Sequence, residues 1–153
     1  MVMWFTGQPG AGKTTICNEL IKKLIKNGVN KEKIFHIDGD DLRDIILNKD
    51  YSEKGRRSNI QTAMSIAAFL SNKKYIVLVS LVSPYLDLRE DFKKKNNVLE
   101  FYLHTSQIRG RENFWVENYQ APESNFTEII TDKKIEENLD EILDVYRKMA
   151  TLA

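Results

Sequence analysis

Cysteine is almost missing from this chain: Cys17 is the single one in 153 residues, which excludes an intrachain disulfide and fits a reducing compartment. Its place in a helical pattern marks it as a small core residue, not a nucleophile. Net charge is also missing. Lys and Arg number 23 against 22 Asp and Glu, a balance of +1, so nothing pulls the whole chain toward nucleic acid or an anionic membrane. No apolar stretch approaches the roughly 18–20 residues of a membrane span. A strand starting at Val2 leaves no room for a signal peptide, so a cytoplasmic chain is expected. The two histidines, His36 and His104, have no Cys/His cluster nearby, which favours core or edge positions over metal ligation. Repeats, linkers and low-complexity segments are absent too. At about 150 residues per domain, residues 1–153 form one domain, and 42% apolar with 29% charged residues is ordinary globular composition.

What is present is alternation. Val2–Thr6 reads as a buried strand, and Lys13–Lys26 as a helix with Ile16, Leu20, Ile21 and Leu24 at helical spacing. Ile34–Ile37 is a second strand, after which Asp40 is expected to cap a short helix over Leu42–Leu47. Ser58–Leu70 reads as a helix, and Tyr75–Val82 as a central strand buried on both faces. Pro84 opens a helix through about Lys95, where the Lys93–Lys95 run is read as a solvated end. Val98–Leu103 and a brief stretch near Thr127–Ile130 are strands, with a loop over Arg111–Ser124 between them. Thr131-Asp132 is expected to cap a last helix carrying an apolar stripe from Ile135 to Met149. The pattern predicts a three-layer α/β/α fold around a mainly parallel sheet. Ligands of such sheets bind at the carboxyl ends of strands, here the loop after Thr6, Asp38–Arg43 and Ser80–Tyr85.

The first of these reads Gly7-Gln-Pro-Gly-Ala-Gly-Lys-Thr14, the full G-x-x-x-x-G-K-[ST] pattern between a strand and a helix. Gly7, Gly10, Ala11 and Gly12 supply inward-turned backbone N–H groups, and the helix N-terminus that carries Thr14 and Thr15 adds its dipole. Lys13 reaches the β- and γ-phosphates and Thr14 binds Mg²⁺. Asp-x-x-Gly and Asn-Lys-x-Asp, the GTPase motifs, are absent; Asn48-Lys49-Asp50-Tyr51 puts its carboxylate one place early. ATP with Mg²⁺ is therefore the expected donor, and a small-molecule kinase of phosphate-loop fold the expected class.

Such a kinase needs an acceptor site. Asp38 ends a strand, where it can face the γ-phosphate and Mg²⁺ and accept a hydroxyl proton. Asp40 and Arg43 share a helical face, as do Arg56 and Asn59, an anion clamp beside a polar reader of sugar or base. The plainer alternatives are a capped Asp-Gly turn and a solvated basic loop. Ser83 is aimed at the phosphates or serves as a helix cap. Further on, Arg109 and Arg111 can clamp phosphates, while Phe114 and Trp115 stack on a base or pack the lid.

Gly7–Thr15, Ile37-Asp-Gly-Asp-Asp-Leu-Arg43, Leu47-Asn48, Asn59-Ile60, Ser83-Pro-Tyr85 and Tyr119-Gln-Ala-Pro-Glu123 together resemble the adenylylsulfate kinase family, in the family's order and over most of the chain. The resemblance implies ATP-dependent phosphorylation of the ribose 3′-hydroxyl of a nucleotide anhydride. It makes Asp38 the catalytic carboxylate, with Lys13 and Ser83 beside the transferred phosphate. Asp40, Arg43, Arg56 and Asn59 become substrate contacts, and Tyr51 stands where the family carries a stacking phenylalanine. Asp41 replaces a usual asparagine, Ser58 a usual glutamate, and the long basic lid shrinks to Gln107–Trp115. Similar kinases act on other ribose 3′-hydroxyls, including that of cytidine diphosphoramidate, and a non-catalytic nucleotide-binding module is a third reading. A small-molecule nucleotide is the expected partner; a homodimer is neither required nor excluded.

Overall fold

The five residues Val2–Thr6 form β1, and every one of them is buried. Because side chains alternate along a strand, Val2 and Trp4 enter one apolar layer while Met3 and Phe5 enter another. A computed structural model describes residues 1–152 of the chain. It continues with α1 (Lys13–Lys26), β2 (Ile34–Asp38), α2 (Gly39–Ile46), α3 (Glu53–Asn72), β3 (Ile76–Ser80), α4 (Leu86–Lys95), β4 (Val98–His104), β5 (Phe126–Ile130) and α5 (Ile135–Thr151). The five strands lie in the order β2-β3-β1-β4-β5, and all neighbours are parallel. One face is covered by α1 and α5, through Ile16, Leu20, Leu139 and Ile142. The other is covered by α2, α3 and α4, through Leu42, Ile60, Ala63 and Phe92. This is the expected three-layer architecture, with β3 interior and buried on both faces.

The chain runs from β1 outward to β2, returns through β3, then crosses to β4 and β5 on the other side. Loops leaving β1 and β4 therefore flank one crevice at the carboxyl edge of the sheet. The phosphate loop leaves β1, and the lid leaves β4.

Four helix starts differ from expectation, and α4, expected from Pro84, begins at Leu86. Asp38, not Asp40, caps α2: it keeps an extended backbone and its side chain accepts the Asp40 N–H at 3.2 Å. Helix α3 begins at Glu53, well before Ser58, because Ser52 caps it by accepting from the Gly55 N–H at 3.2 Å. Gly55 fits that first turn only as glycine, since a Cβ would lie 2.3 Å from the Asp50 carbonyl oxygen. Neither Thr131 nor Asp132 caps α5, which starts after Lys134 without a side-chain cap. Asp132 instead takes hydrogen bonds from Thr105 and Ser106, which hold its pKa near 2.

The Lys93–Lys95 run is not uniformly solvated either. Lys93 pairs with Glu100 and, at 2.6 Å, with Glu90. Glu100 also accepts from Arg89 at 2.7 Å, and both of those side chains are 1% exposed. The Arg89 guanidinium goes on to the carbonyls of Ser83 and Gln120, so this buried ionic cluster ties β4 and α4 to the edge of the crevice. No helix among the described residues is long and apolar enough to cross a membrane.

Removing one member of such a pair leaves a buried charge uncompensated. Glu100→Ala is expected to cost about 3–5 kcal/mol in urea unfolding; a loss below about 1 kcal/mol, the scale of an exposed pair, would contradict this account of the cluster.

Candidate active site

Gly7, Gly10 and Gly12 all take positive φ (154°, 84° and 97°), so the phosphate loop turns where residues with side chains would strain. At Gly7 the backbone passes so close to β4 that a Cβ would meet the Leu103 carbonyl oxygen at 2.3 Å. Helix α1 then begins at Lys13 with no side-chain cap and no acidic residue in its first turn, leaving N–H groups for an anion. The Lys13 ammonium donates to the carbonyls of Gly7 and Gln8, each at 2.9 Å. Burial lowers its pKa to about 8, against the opposing pull of Asp38.

Asp38 faces this loop from the end of β2. Its Oδ1 accepts from Thr14 Oγ1 and from Ser80 Oγ, both at 2.7 Å, whereas Oδ2 takes only the Asp40 N–H at 3.2 Å. Burial alone would raise the carboxyl's pKa; the two hydroxyl bonds, His36 and the Asp40 amide outweigh it and hold it below the ordinary value. Asp38 is thus an ionised carboxylate with one oxygen filled and the other open.

The acceptor side is built on α2 and α3. Asn59 lines the cleft wall, is 3% exposed, and buries an Oδ1 that has no hydrogen-bond partner among the described residues. Arg56 and Asp40 line the same wall. Arg43 is spoken for: its guanidinium donates to the Asn48 and Asp50 carbonyls, each at 3.1 Å, and lies 4.2 Å from the Tyr51 ring centre. It shapes the loop that presents Tyr51. Ser83 departs from both of its readings. Its hydroxyl is buried, donating toward Thr6 or the Leu81 carbonyl and accepting from Trp4 Nε1 at 2.9 Å, and α4 starts later with Tyr85 at its N-cap. With φ at 41°, Ser83 gives the cleft a left-handed turn, with its hydroxyl committed to the core.

The lid roots itself on the phosphate loop. Arg109 donates to the Gly10 carbonyl at 3.1 Å and to the Thr131 carbonyl at 2.7 Å, so it braces the loop. Arg111 lies over Phe114, 5.2 Å from its ring centre, and both residues line the cleft. Trp115 Nε1 donates to the Pro9 carbonyl at 3.2 Å. Gln8, which sequence reasoning passed over, clamps the lid in both directions: its amide donates to the Val116 carbonyl and accepts the Val116 N–H, each at 2.9 Å. At the far end of the lid, the Tyr119 hydroxyl meets Thr6 Oγ1 at 2.7 Å and Gln120 bonds to the backbone of Pro84 and Leu86.

Together these walls enclose a cleft of about 1000 Å³. It gathers every site residue expected from the sequence except Gly7 and Ala11, members of the loop that do not line the cleft. No group of three or more His, Cys, Asp or Glu side chains gathers among the described residues. The Thr14 hydroxyl and Asp38 carboxylate are instead two hard oxygen donors beside a polyphosphate loop, a set that suits Mg²⁺ shared with phosphates.

The profile of the adenylylsulphate kinase family matches residues 1–112, ending inside the lid. The adenylyl-sulfate kinase of Prochlorococcus marinus is 30% identical over 152 residues, covering 94% of this chain and 74% of that protein. That of Buchnera aphidicola is 36% identical over 109 residues, 69% of this chain. The match spans only about half, 52%, of the Buchnera protein's own length. Among solved structures, the Mycobacterium tuberculosis APS kinase in complex with AMPPNP and APS superposes with a TM-score of 0.79 at 22% identity, over 95% of this chain and 96% of that one. A Sinorhizobium meliloti gluconokinase superposes at 0.69 with 13% identity, over 98% and 93%. Identities this low establish the shared fold.

The lowered pKa of Lys13 has a measurable sign. Above pH 8 the free protein has lost the ammonium charge, and binding a polyphosphate must restore the proton. ATP affinity is therefore expected to be flat below that pH and to weaken by up to about tenfold per unit above it, read by calorimetry. An affinity unchanged from about pH 7 to 9.5 would contradict the burial of this ammonium.

Proposed function

The chain belongs to the adenylylsulphate kinase family, and from that membership and the cleft's geometry we propose that it transfers the γ-phosphoryl group of ATP to the ribose 3′-hydroxyl of a nucleotide anhydride, adenylylsulfate. The observation that carries this reading is the half-filled carboxylate of Asp38, whose open oxygen shares one cleft with the phosphate loop. A module that only bound nucleotide would have no use for it.

In this mechanism the N–H groups of the phosphate loop and the α1 N-terminus hold the triphosphate. Lys13 turns from the Gly7 and Gln8 carbonyls to the β- and γ-phosphates, where its charge offsets what builds up in transfer. Asp38 Oδ2 accepts the 3′-hydroxyl proton as the oxygen attacks phosphorus and ADP leaves. Thr14 would hold Mg²⁺ beside the phosphates as a direct oxygen donor, with Asp38 orienting it through the Thr14–Asp38 hydrogen bond, and the ion would supply further charge neutralisation. Asn59 Oδ1 takes a donor of the acceptor nucleotide, Arg56 an anionic group, and Phe114, Trp115 and Tyr51 offer rings to stack on its base. Most of the rate comes from positioning and electrostatics, since phosphoryl transfer asks little covalent chemistry of the protein.

Incubation with ATP and Mg²⁺ plus adenylylsulfate, cytidine diphosphoramidate or no acceptor tests the reading. Transfer to adenylylsulfate is expected. Transfer to the cytidine compound alone would move the acceptor, and no transfer to either would favour a binding module. Lys13→Ala should abolish transfer. Asp38→Asn should keep ATP binding and lower turnover by roughly 10²–10⁴, the range for loss of a general base; normal turnover would remove Asp38 from that role.

A further inference from the structure

We propose that His36 is a positioning residue which, through Ser80, fixes the oxygen of Asp38 that faces the acceptor. The inference rests on Asp38 being the base.

Parallel pairing of β2 with β3 sets Asp38 opposite Ser80, and the two-residue period of a strand puts His36 on the same face of β2 as Asp38. Ser80 Oγ is 2.7 Å from His36 Nε2 and 2.7 Å from Asp38 Oδ1. A serine hydroxyl has one proton, and an ionised carboxylate can only accept. The Ser80 proton therefore belongs to the bond with Asp38. Any other assignment would set two lone pairs against each other at that distance. Ser80 must then accept from His36, so Nε2 carries a hydrogen, and the chain runs in one direction from His36 through Ser80 to Asp38.

Direction has a consequence. A hydroxyl that accepts a hydrogen bond is a stronger donor, because linked bonds polarise one another. With the short bond from Thr14, this saturates Oδ1 and stops the carboxylate from rotating to exchange its oxygens. Oδ2, with one amide bond at 3.2 Å, remains the oxygen that meets the hydroxyl. His36 itself touches no reactant.

The test compares His36→Phe, His36→Gln, Ser80→Ala and Asp38→Asn by steady-state kinetics, alongside the ¹⁵N resonances of the His36 ring. His36→Phe and Ser80→Ala are expected to lower kcat by about tenfold, the worth of one ordinary hydrogen bond, with KM for ATP unchanged. His36→Gln should return kcat to within about threefold, because its amide donates from a similar place. The ring should carry its hydrogen on Nε2. Wild-type kcat in His36→Phe and Ser80→Ala beside an impaired Asp38→Asn would overturn the relay and leave the base standing. An unimpaired Asp38→Asn would remove the base, and the relay with it. A His36 ring protonated on Nδ1 alone would overturn the relay whatever the rates.

Discussion

Oδ1 of Asp38 accepts hydrogen bonds from two hydroxyls, Thr14 in the first turn of α1 and Ser80 at the end of β3, while Asp38 itself ends β2 and caps α2. Two neighbouring strand ends and the first turn of α1 are thereby tied at one atom, and the tie is what gives the cleft a fixed floor. It needs an all-parallel sheet, because only then do these carboxyl ends lie along one edge. The sheet in turn needs β1 buried on both faces, with Phe5 stacked on Phe101 at 5.0 Å and Trp4 tilted against Phe92 at 5.6 Å. Packing, register and the candidate chemistry are one chain of dependence.

The lid obeys a second constraint. Most of its anchors reach main-chain atoms: Arg109 to Gly10 and Thr131, Trp115 to Pro9, Gln8 to Val116. Backbone anchors hold a loop's path while leaving its side chains free to differ. That fits a family match that runs through residue 112 and stops within the lid. The buried cluster of Arg89, Glu100 and Lys93 does the same for the opposite wall, fixing the Ser83 turn and Gln120 from beneath.

The alternation of apolar strands and amphipathic helices was legible because burial imposes its period directly on the residues. The phosphate loop was legible because its job fixes residue types at fixed spacing. The position of Asp38 was legible because the apolar run before it must end at a charged residue. Caps were read less well, since two nearby oxygens can each cap and backbone conformation chooses: Asp38 over Asp40, and Ser52 ahead of Ser58. Ser83 was placed in the right wall, but the left-handed turn that buries its hydroxyl leaves no trace in composition. His36 was read as a core or edge histidine, not a metal ligand. Its partner Ser80 is distant in sequence and becomes adjacent only through strand register. Lys93 looked solvated because Glu100 lies on another element.

The open oxygen of Asp38 is the proposed destination of the acceptor's proton. A crystal structure with a non-hydrolysable ATP analogue and adenylylsulfate tests it most directly. The expected result is a ribose 3′-oxygen about 2.6–3.2 Å from Asp38 Oδ2, in line with the γ-phosphorus, with Thr14 and Ser80 still on the other oxygen. A 3′-hydroxyl directed to another side chain, or an Asp38 carboxylate turned away from the cleft, would contradict it.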